Sequence, residues 1–454
     1  MDLLDLLKRP EGKTLEFKRD LSSPDGALKT VVAFANTAGG TLLIGVDDRS
    51  RDVRGVPDPL DEEERLANLI SDRISPRFVP EIEILPWRRT QVLALQVHPS
   101  PSRPHHLIRE GPAAGVYVRV GSTNRRADAE LIEELRRFSR GDGFDEQPMP
   151  GLSSEDLDFR AASESFAPFR SLRRRDLEIL RLVCDHQGRM VPTVGGMILF
   201  GHEREQHFPD AWIQAGRFGG TDKSRILDRI EIHSFPVQAV EEAIAFVQKH
   251  SWHGAEIGAV RRIDRWTLPP EAVREALINA VVHTDYSQRG APIRLAIFDD
   301  RLEIENPGLL PFGLTVADLP LGVSKLRNRV IGRVFQALGL VEQWGSGIQR
   351  INGVCRDAGL PPPVFEEIAM RFRATIPTTP VGPTVVDITD QAILASLKQG
   401  QGLATREIAA IIGLSARATR TRLARLIDRG LVREIGTSAK DPQRKYFLAE
   451  GGLP

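Results

Sequence analysis

The chain has 454 residues, too many for one core, and its 41% apolar content is that of folded domains. Its 61 Lys and Arg balance 61 Asp and Glu, so no whole-chain field attracts nucleic acid, and any such binding must come from local patches. Only two cysteines are present, Cys184 and Cys355, which excludes a disulfide framework, and neither has metal-ligand spacing around it. No apolar run approaches the roughly 20 residues that span a bilayer, and the acidic start is unlike a signal sequence. The expectation is an α+β multidomain protein of the cytoplasm, with no membrane partner.

Residues 1–140 read as a small α+β domain. Leu15–Lys18 reads as a strand and Ala27–Ala35 as a helix. A tight turn, Asn36-Thr37-Ala38-Gly39-Gly40, leads into the apolar strand Thr41–Val46, which ends at Asp47-Asp48. A helix follows over 62–74, then strands at 81–85, 91–97 and 115–120 and a helix at 128–138. His105 and His106 follow a Pro-rich stretch with no evident carboxylate partner, so they read as loop residues and not as metal ligands.

Three blocks in this segment resemble the Schlafen-type AlbA-like domain: Glu16-Phe17-Lys18, the run from Ala33 to Asp48, and Tyr117-Val118-Arg119-Val120-Gly121-Ser122-Thr123-Asn124. The resemblance implies contact with DNA or RNA, with Lys18, Arg119, Arg125 and Arg126 as phosphate partners. RNA-cleaving members of the family carry a three-carboxylate site that begins Glu-x4-Glu-Phe-Lys. Glu11 and Glu16 match that spacing, and Asp47 is the third carboxylate, with Asp48 as competitor. Held on Mg²⁺ or Mn²⁺, such a set would activate water for phosphodiester cleavage. The alternative function is therefore an ATP-controlled endoribonuclease acting on tRNA-type substrates.

Residues 141–254 begin with a turn-rich boundary and read as a linker and middle segment that packs on the next domain. A basic helix is expected over 171–185, a buried Gly-rich helix over 192–201, a strand over 211–218 and an amphipathic helix over 238–249.

Residues 255–377 carry the densest chemistry. Pro269-Pro270 opens a helix on which Glu275, Asn279 and His283 recur at i, i+4 and share a face. Strands at 293–298 and 302–305 lead into a Gly/Pro loop, Asn306 to Gly313, and Gly345-Ser346-Gly347 starts a later helix. Such a start presents free N–H groups to phosphates. In order and spacing this set resembles the GHKL ATPase superfamily, in the branch found among transcriptional regulators and helicase-related proteins, and implies an α/β sandwich that binds ATP. Asn279 would then ligate Mg²⁺ and Glu275 would act as base toward water. Gly345, Ser346 and Gly347 would wrap the phosphates, Gly308 and Gly313 of the second box would also bind the cofactor, and Lys325, Arg327 or Arg329 would add charge. His283 faces the same site or buttresses the helix. Many family members read adenine with an Asp in the second box; here Asn306 stands in that place, and Thr375 is a candidate helper. Whether ATP is hydrolysed is left open.

Residues 378–454 follow a Pro/Thr linker and read as three helices and a short hairpin, a winged helix-turn-helix by order and spacing. Its third helix would place Arg417, Thr419 and Arg420 in the major groove. No Gly-x4-Gly-Lys-Ser/Thr loop is present, which disfavours a helicase-type motor. The leading expectation is a regulator whose nucleotide state controls DNA or RNA binding, and a homo-oligomer is left open.

Overall fold

The computed structural model describes residues 3–48, 50–257, 262–266, 268–323, 325–341, 345–378, 388–397, 402–428, 431–435 and 445–448. The expected motif residues 342–344, Gly430, most of the Pro/Thr linker and the tip of the C-terminal hairpin lie outside these. The chain forms two units, Met1–Pro380 and Val381–Pro454.

In the first unit, β1 (Leu15–Lys18), α1 (Pro24–Asn36) and β2 (Gly40–Ile44) form a β-α-β crossover, with β1 and β2 parallel and Phe17 opposite Leu43. Here α2 (Pro59–Arg73) precedes the hairpin of β3 (Glu81–Trp87) and β4 (Thr90–Val97), giving a sheet of order β1-β2-β4-β3. Period-2 alternation divides the sheet's apolar residues between two cores. Leu42, Ile44, Leu93 and Leu95 pack with the apolar face of α1, and Phe17, Leu43, Val92 and Ala94 pack with Leu3 and Leu6. The carboxamide of Asn36, fully buried at the end of α1, donates to the carbonyls of His105 and Tyr117 and accepts from the His105 N–H. That anchors the Pro-rich loop. The His105 imidazole is buried between the Pro76 carbonyl and Ser100 Oγ, each at 2.7 Å, and burial pushes its pKa down.

The hairpin of β5 (Tyr117–Val120) and β6 (Thr123–Arg126) leads into α3 (Ala129–Arg140). Asp128 caps α3 by accepting the Leu131 N–H, and Gly141, at φ +79°, ends it in the left-handed conformation. One face of α3 (Leu131, Ile132, Leu135) packs on Val118 and Val120, and the same cluster takes in Leu309 and Phe312 of the following domain.

That domain is built on a six-stranded sheet: β7 (Ile213–Phe218), β8 (Ile226–Ile232), β9 (Ile293–Ile297), β10 (Arg301–Pro307), β11 (Val364–Ile368) and β12 (Arg371–Pro377) in the order β8-β7-β9-β10-β12-β11. Only β7 and β9 pair in parallel; the other neighbours are antiparallel. The covering layer includes α4 (Val194–Phe200), α5 (Pro236–Ser251), α6 (Pro270–His283), α7 (Arg329–Ala337) and α8 (Gly347–Asp357), which share one core with the sheet. The boundary expected at 254/255 therefore falls inside this domain. Both β7 and β8 precede it, and β7 supplies the parallel neighbour of β9.

One expected helix is replaced. Over 171–185 only Arg174–Ile179 is helical, and Val183–His186 pairs antiparallel with Arg189–Pro192. Gln187 and Gly188 both take positive φ, so His186-Gln187-Gly188-Arg189 turns a hairpin that the run of arginines obscured.

The second unit contains α9 (Ile388–Leu397), β13 (Leu403–Ala404), α10 (Thr405–Ile412), α11 (Ala416–Asp428), β14 (Val432–Ile435) and β15 (Lys445–Leu448), with sheet order β13-β15-β14. Ile393, Leu397, Ile408, Leu423 and Leu426 form its core.

Candidate functional site

Helix α6 starts at Pro270, where a missing N–H costs nothing. It buries Ala272, Val273, Ala276, Leu277, Ala280 and Val281 and turns Glu275, Asn279 and His283 toward a cavity. The N-terminus of α8 lies directly against this face. A Cβ at Gly347 would stand 2.1 Å from Glu275 Oε1 and 3.3 Å from Asn279 Nδ2, so any side chain there would displace the Glu275 carboxylate from its place. Asn279 Nδ2 donates to Glu275 Oε1 at 3.4 Å, and Arg350, one turn into α8, lies 3.4 Å from Glu275 Oε2. With its nitrogen engaged, Asn279 has its amide oxygen left for a cation.

The cavity is about 700 Å³. Its walls are this face of α6, Ile304 and Asn306 of β10, Phe372 and Ala374 of β12, Gly345 and Gly347, the segment 325–329, and Glu134, Arg137 and Phe138 of α3. Among the described residues, four that line it carry buried polar atoms without a partner: His283 Nδ1, Arg327 Nε, Asn328 Oδ1 and Arg333 Nη1. Donors and an acceptor left over among the lining residues suit a polar, anionic ligand, as does the close approach at Gly347. The His283 imidazole is pushed down to about 4 by burial, so it is neutral at pH 7.

The loop after β10 is shaped by the same crowding. Gly308 has φ +98°, and a Cβ there would meet Asp285 Cβ at 2.9 Å and Arg327 Cζ at 3.1 Å. Gly313, at φ +92°, has open space around it, and its N–H donates to the Thr37 carbonyl of the first domain. Arg327 is buried, donates to Glu134 and to the Leu309 carbonyl, and lies 3.9 Å from Asp285; burial lowers its pKa to about 10, so it stays charged. Lys325 donates to the Phe312 carbonyl at 3.1 Å and sits 4.0 Å over the Phe138 ring. Asp145, fully buried, accepts the N–H groups of Arg329, Val330 and Ile331 and so occupies the anion position at the start of α7. Burial raises its pKa to about 6.

Two expected adenine contacts part company. Asn306 is buried in the cavity wall and its Nδ2 donates to the Pro307 carbonyl at 3.1 Å. Thr375 is not in that wall. Alternation along β12 turns Phe372 and Ala374 to the cavity and Thr375 to the opposite sheet face, in register with Glu303.

In the first domain, Arg119 is no phosphate contact. It is fully buried and donates to Glu16 Oε2, the Gly12 carbonyl and Asn124 Oδ1. Lys18 pairs with the other oxygen of Glu16 at 2.5 Å. Arg125 and Arg126 are exposed on β6, with Arg126 3.6 Å from Glu110. Glu11 accepts the Phe17 N–H at 2.7 Å, and its pKa is raised first by burial and then by the charges of Glu16 and Asp48, with Asp48 hydrogen-bonded to it. The carboxylate beside Glu11 is thus Asp48; Asp47 pairs with Arg54 at 2.7 Å. Among the described residues no group of three or more His, Cys, Asp or Glu is placed to hold a metal ion.

In the second unit, Arg417 and Arg420 are exposed on α11. Thr419 is buried and its hydroxyl donates to the Ser415 carbonyl, so it holds the helix start and is not available to DNA. Thr421, one turn after Arg417, shares the exposed face of the arginines, and its hydroxyl donates to the Arg417 carbonyl at 3.2 Å.

Family comparison matches three separate segments of the chain. Residues 11–128 match the family described as "Schlafen, AlbA_2", residues 290–376 match "Putative ATP-dependent DNA helicase recG C-terminal", and residues 386–433 match "Winged helix-turn-helix DNA-binding". The chain therefore joins a Schlafen AlbA_2 domain, an ATPase-like domain and a winged helix, the architecture of a nucleic-acid-binding, ATPase-like protein. Glu275 and Asn279 lie ahead of the matched part of the second domain. Among solved structures the chain is similar to the DIP2311 protein from Corynebacterium diphtheriae, at 19% identity over 96% of this chain and 95% of that one, TM-score 0.45. It is also similar to the N-terminal domain of an ATP-dependent DNA helicase RecG-related protein from Nitrosomonas europaea, at 28% identity over 27% of this chain and 91% of that one, TM-score 0.22. No curated protein matches. Among the described residues no helix is long and apolar enough to cross a membrane.

Proposed function

We propose that the chain is an ATP-binding regulator in which the nucleotide state of the α6–α8 site controls nucleic-acid binding by the AlbA_2 and winged-helix domains. The carrying observation is the approach of Gly347 to Glu275 and Asn279. A glycine-started helix is set against a carboxylate and a carboxamide on one helix face, at the rim of a cavity large enough for a nucleotide. In this reading the amide oxygen of Asn279 holds Mg²⁺, and the N–H groups around Gly345, Ser346 and Gly347 take phosphate oxygens. Lys325 adds positive charge from its place over Phe138. Glu275 orients Asn279 and is the group placed to accept a proton from water. Asn306, whose nitrogen is engaged with Pro307, offers its amide oxygen to the adenine amino group.

The test is calorimetric titration of the full chain with ATP and Mg²⁺, beside Asn279→Ala. The expected result is saturable binding that is weakened at least tenfold in the variant, the scale of a lost charge-assisted contact. Duplex DNA and single-stranded RNA are then titrated with and without ATP at two salt concentrations. Wild-type protein that fails to bind ATP would sink the reading, and nucleic-acid affinity indifferent to saturating ATP would remove the control.

A further inference from the structure

One wall of the cavity does not come from the ATPase-like domain. It is α3, the last helix of the preceding domain, whose other face is packed on β5. We propose that the nucleotide site is bipartite: Arg137, on α3, contacts the nucleoside and α-phosphate end of a bound adenine nucleotide. This rests on the reading that Asn279 and Gly347 mark the metal and terminal-phosphate end.

The assignment of ends follows from α6. A helix rises 1.5 Å per residue, so His283 lies about 12 Å along the axis from Glu275. Arg137 belongs to the far end. Its Nη2 donates to Ser287 Oγ at 3.3 Å, and Ser287 stands four residues beyond His283. The guanidinium also lies over the Phe144 ring, 5.0 Å from its centroid, another residue of the cavity wall. A guanidinium has five N–H donors. Ser287 takes one, the flat group lies over Phe144, and Arg137 itself lines the cavity. That is a fixed cationic fork suited to a phosphate or ribose oxygen.

The helix that carries Arg137 is held in place by its own contacts with the ATPase-like domain. Glu134, one turn earlier, pairs with the buried Arg327, and Phe138 is covered by Lys325 and meets Phe312 edge-on at 5.4 Å. Packed on β5 and tied to the ATPase-like domain, α3 follows directly on the AlbA_2 match at 11–128, so the end of the first domain supplies part of the site and feels the ligand directly.

The experiment uses the full chain with Mg²⁺ and measures the affinities of ATP, ADP and AMP for wild type, Arg137→Ala and Arg137→Lys. Arg137→Ala is expected to lose about tenfold on all three ligands, with part of it regained in Arg137→Lys. Asn279→Ala is expected to lose on ATP and ADP and little on AMP. AMP affinity unchanged in Arg137→Ala would overturn the inference while leaving the nucleotide reading standing; wild type that binds none of the three overturns both. Hydrogen exchange on unmutated protein gives a second readout. ATP should slow exchange across residues 129–140, and slowing near Gly347 with no change in 129–140 would also overturn the inference.

Discussion

Gly347→Ala is the sharpest perturbation of the α6–α8 contact. The new methyl would sit 2.1 Å from Glu275 Oε1, well inside contact distance, so something must move. The cheapest movement is rotation of the Glu275 side chain, because its carboxylate is the far end of a flexible chain. That rotation breaks the Asn279 hydrogen bond and the Arg350 pair, both at 3.4 Å. Each contact is long and partly solvated, so together they are worth about 1–2 kcal/mol. Replacing glycine by alanine in a helix returns up to about 1 kcal/mol. The expected net loss of stability is therefore small, about 1 kcal/mol or less by urea denaturation. The effect on ligand should be larger, because Asn279 loses the partner that sets which amide branch faces the cavity. Mg²⁺-dependent ATP affinity is expected to fall at least tenfold while the denaturation slope stays that of wild type. A variant that binds ATP as tightly as wild type would refute the placement of metal and phosphate between Asn279 and Gly347. A loss of several kcal/mol would show instead that the glycine is needed for the fold.

Other expectations follow from the same structure. Glu16→Ala leaves the buried Arg119 guanidinium without its carboxylate and should cost about 3–5 kcal/mol in urea unfolding, far more than a surface substitution; an unchanged midpoint would show that the pair is solvated. His283 and Asp145 should oppose one another in acid. The His283 pKa falls from 6.5 to about 4 on folding, so its contribution is complete above pH 6.5 and is lost as pH falls toward 4, by about 3 kcal/mol. The Asp145 pKa rises from 3.8 to about 6, so the folded state is favoured below pH 3.8 and loses about 3 kcal/mol as pH rises through 6. Between pH 4 and 6 the two offset. In denaturation across this range, His283→Gln should gain stability as pH falls and Asp145→Asn should lose it, and parallel profiles for both variants would contradict the assignment. In the winged helix, Arg417→Ala and Arg420→Ala should weaken duplex-DNA binding and each reduce its salt slope by about one if the contact is to phosphate. Thr419→Val should lower the unfolding midpoint and leave the slope as it was.

The sequence carried local chemistry well and spatial partnership poorly. The i, i+4 spacing of Glu275, Asn279 and His283 is a property of one helix, and it survives intact because helix phase is local. Arg119 was equally visible, but its burial depends on Glu16, Gly12 and Asn124, which meet only when β1 and β5 come together. Asp47 and Asp48 sit side by side in the chain; the turn that sends one to Arg54 and the other to Glu11 has no signature in residue type. Thr375 was misplaced although strand alternation was available, since Phe372 and Ala374 had to be recognised as facing the cavity first. The edge strand β8, with Ile226, Leu227 and Ile230 exposed, lacks the clean alternation of a half-buried strand, which is why the sheet seemed to begin later than it does.

The parallel pairing of β7 with β9 bears on how this protein can be dissected. The segment that matches the ATPase-like family, 290–376, opens at β9. Expressed alone it would lack α6, with Glu275 and Asn279, and would bare the edge of β9 that β7 covers. An uncovered edge of that kind, with Ile293, Leu295 and Ile297 alternating along it, is a template for association between chains. The unit of homology and the unit of folding are different lengths of the same chain, and a fragment meant to bind nucleotide has to reach back past β7 and, through Asp145 and Arg137, into the end of the domain before it.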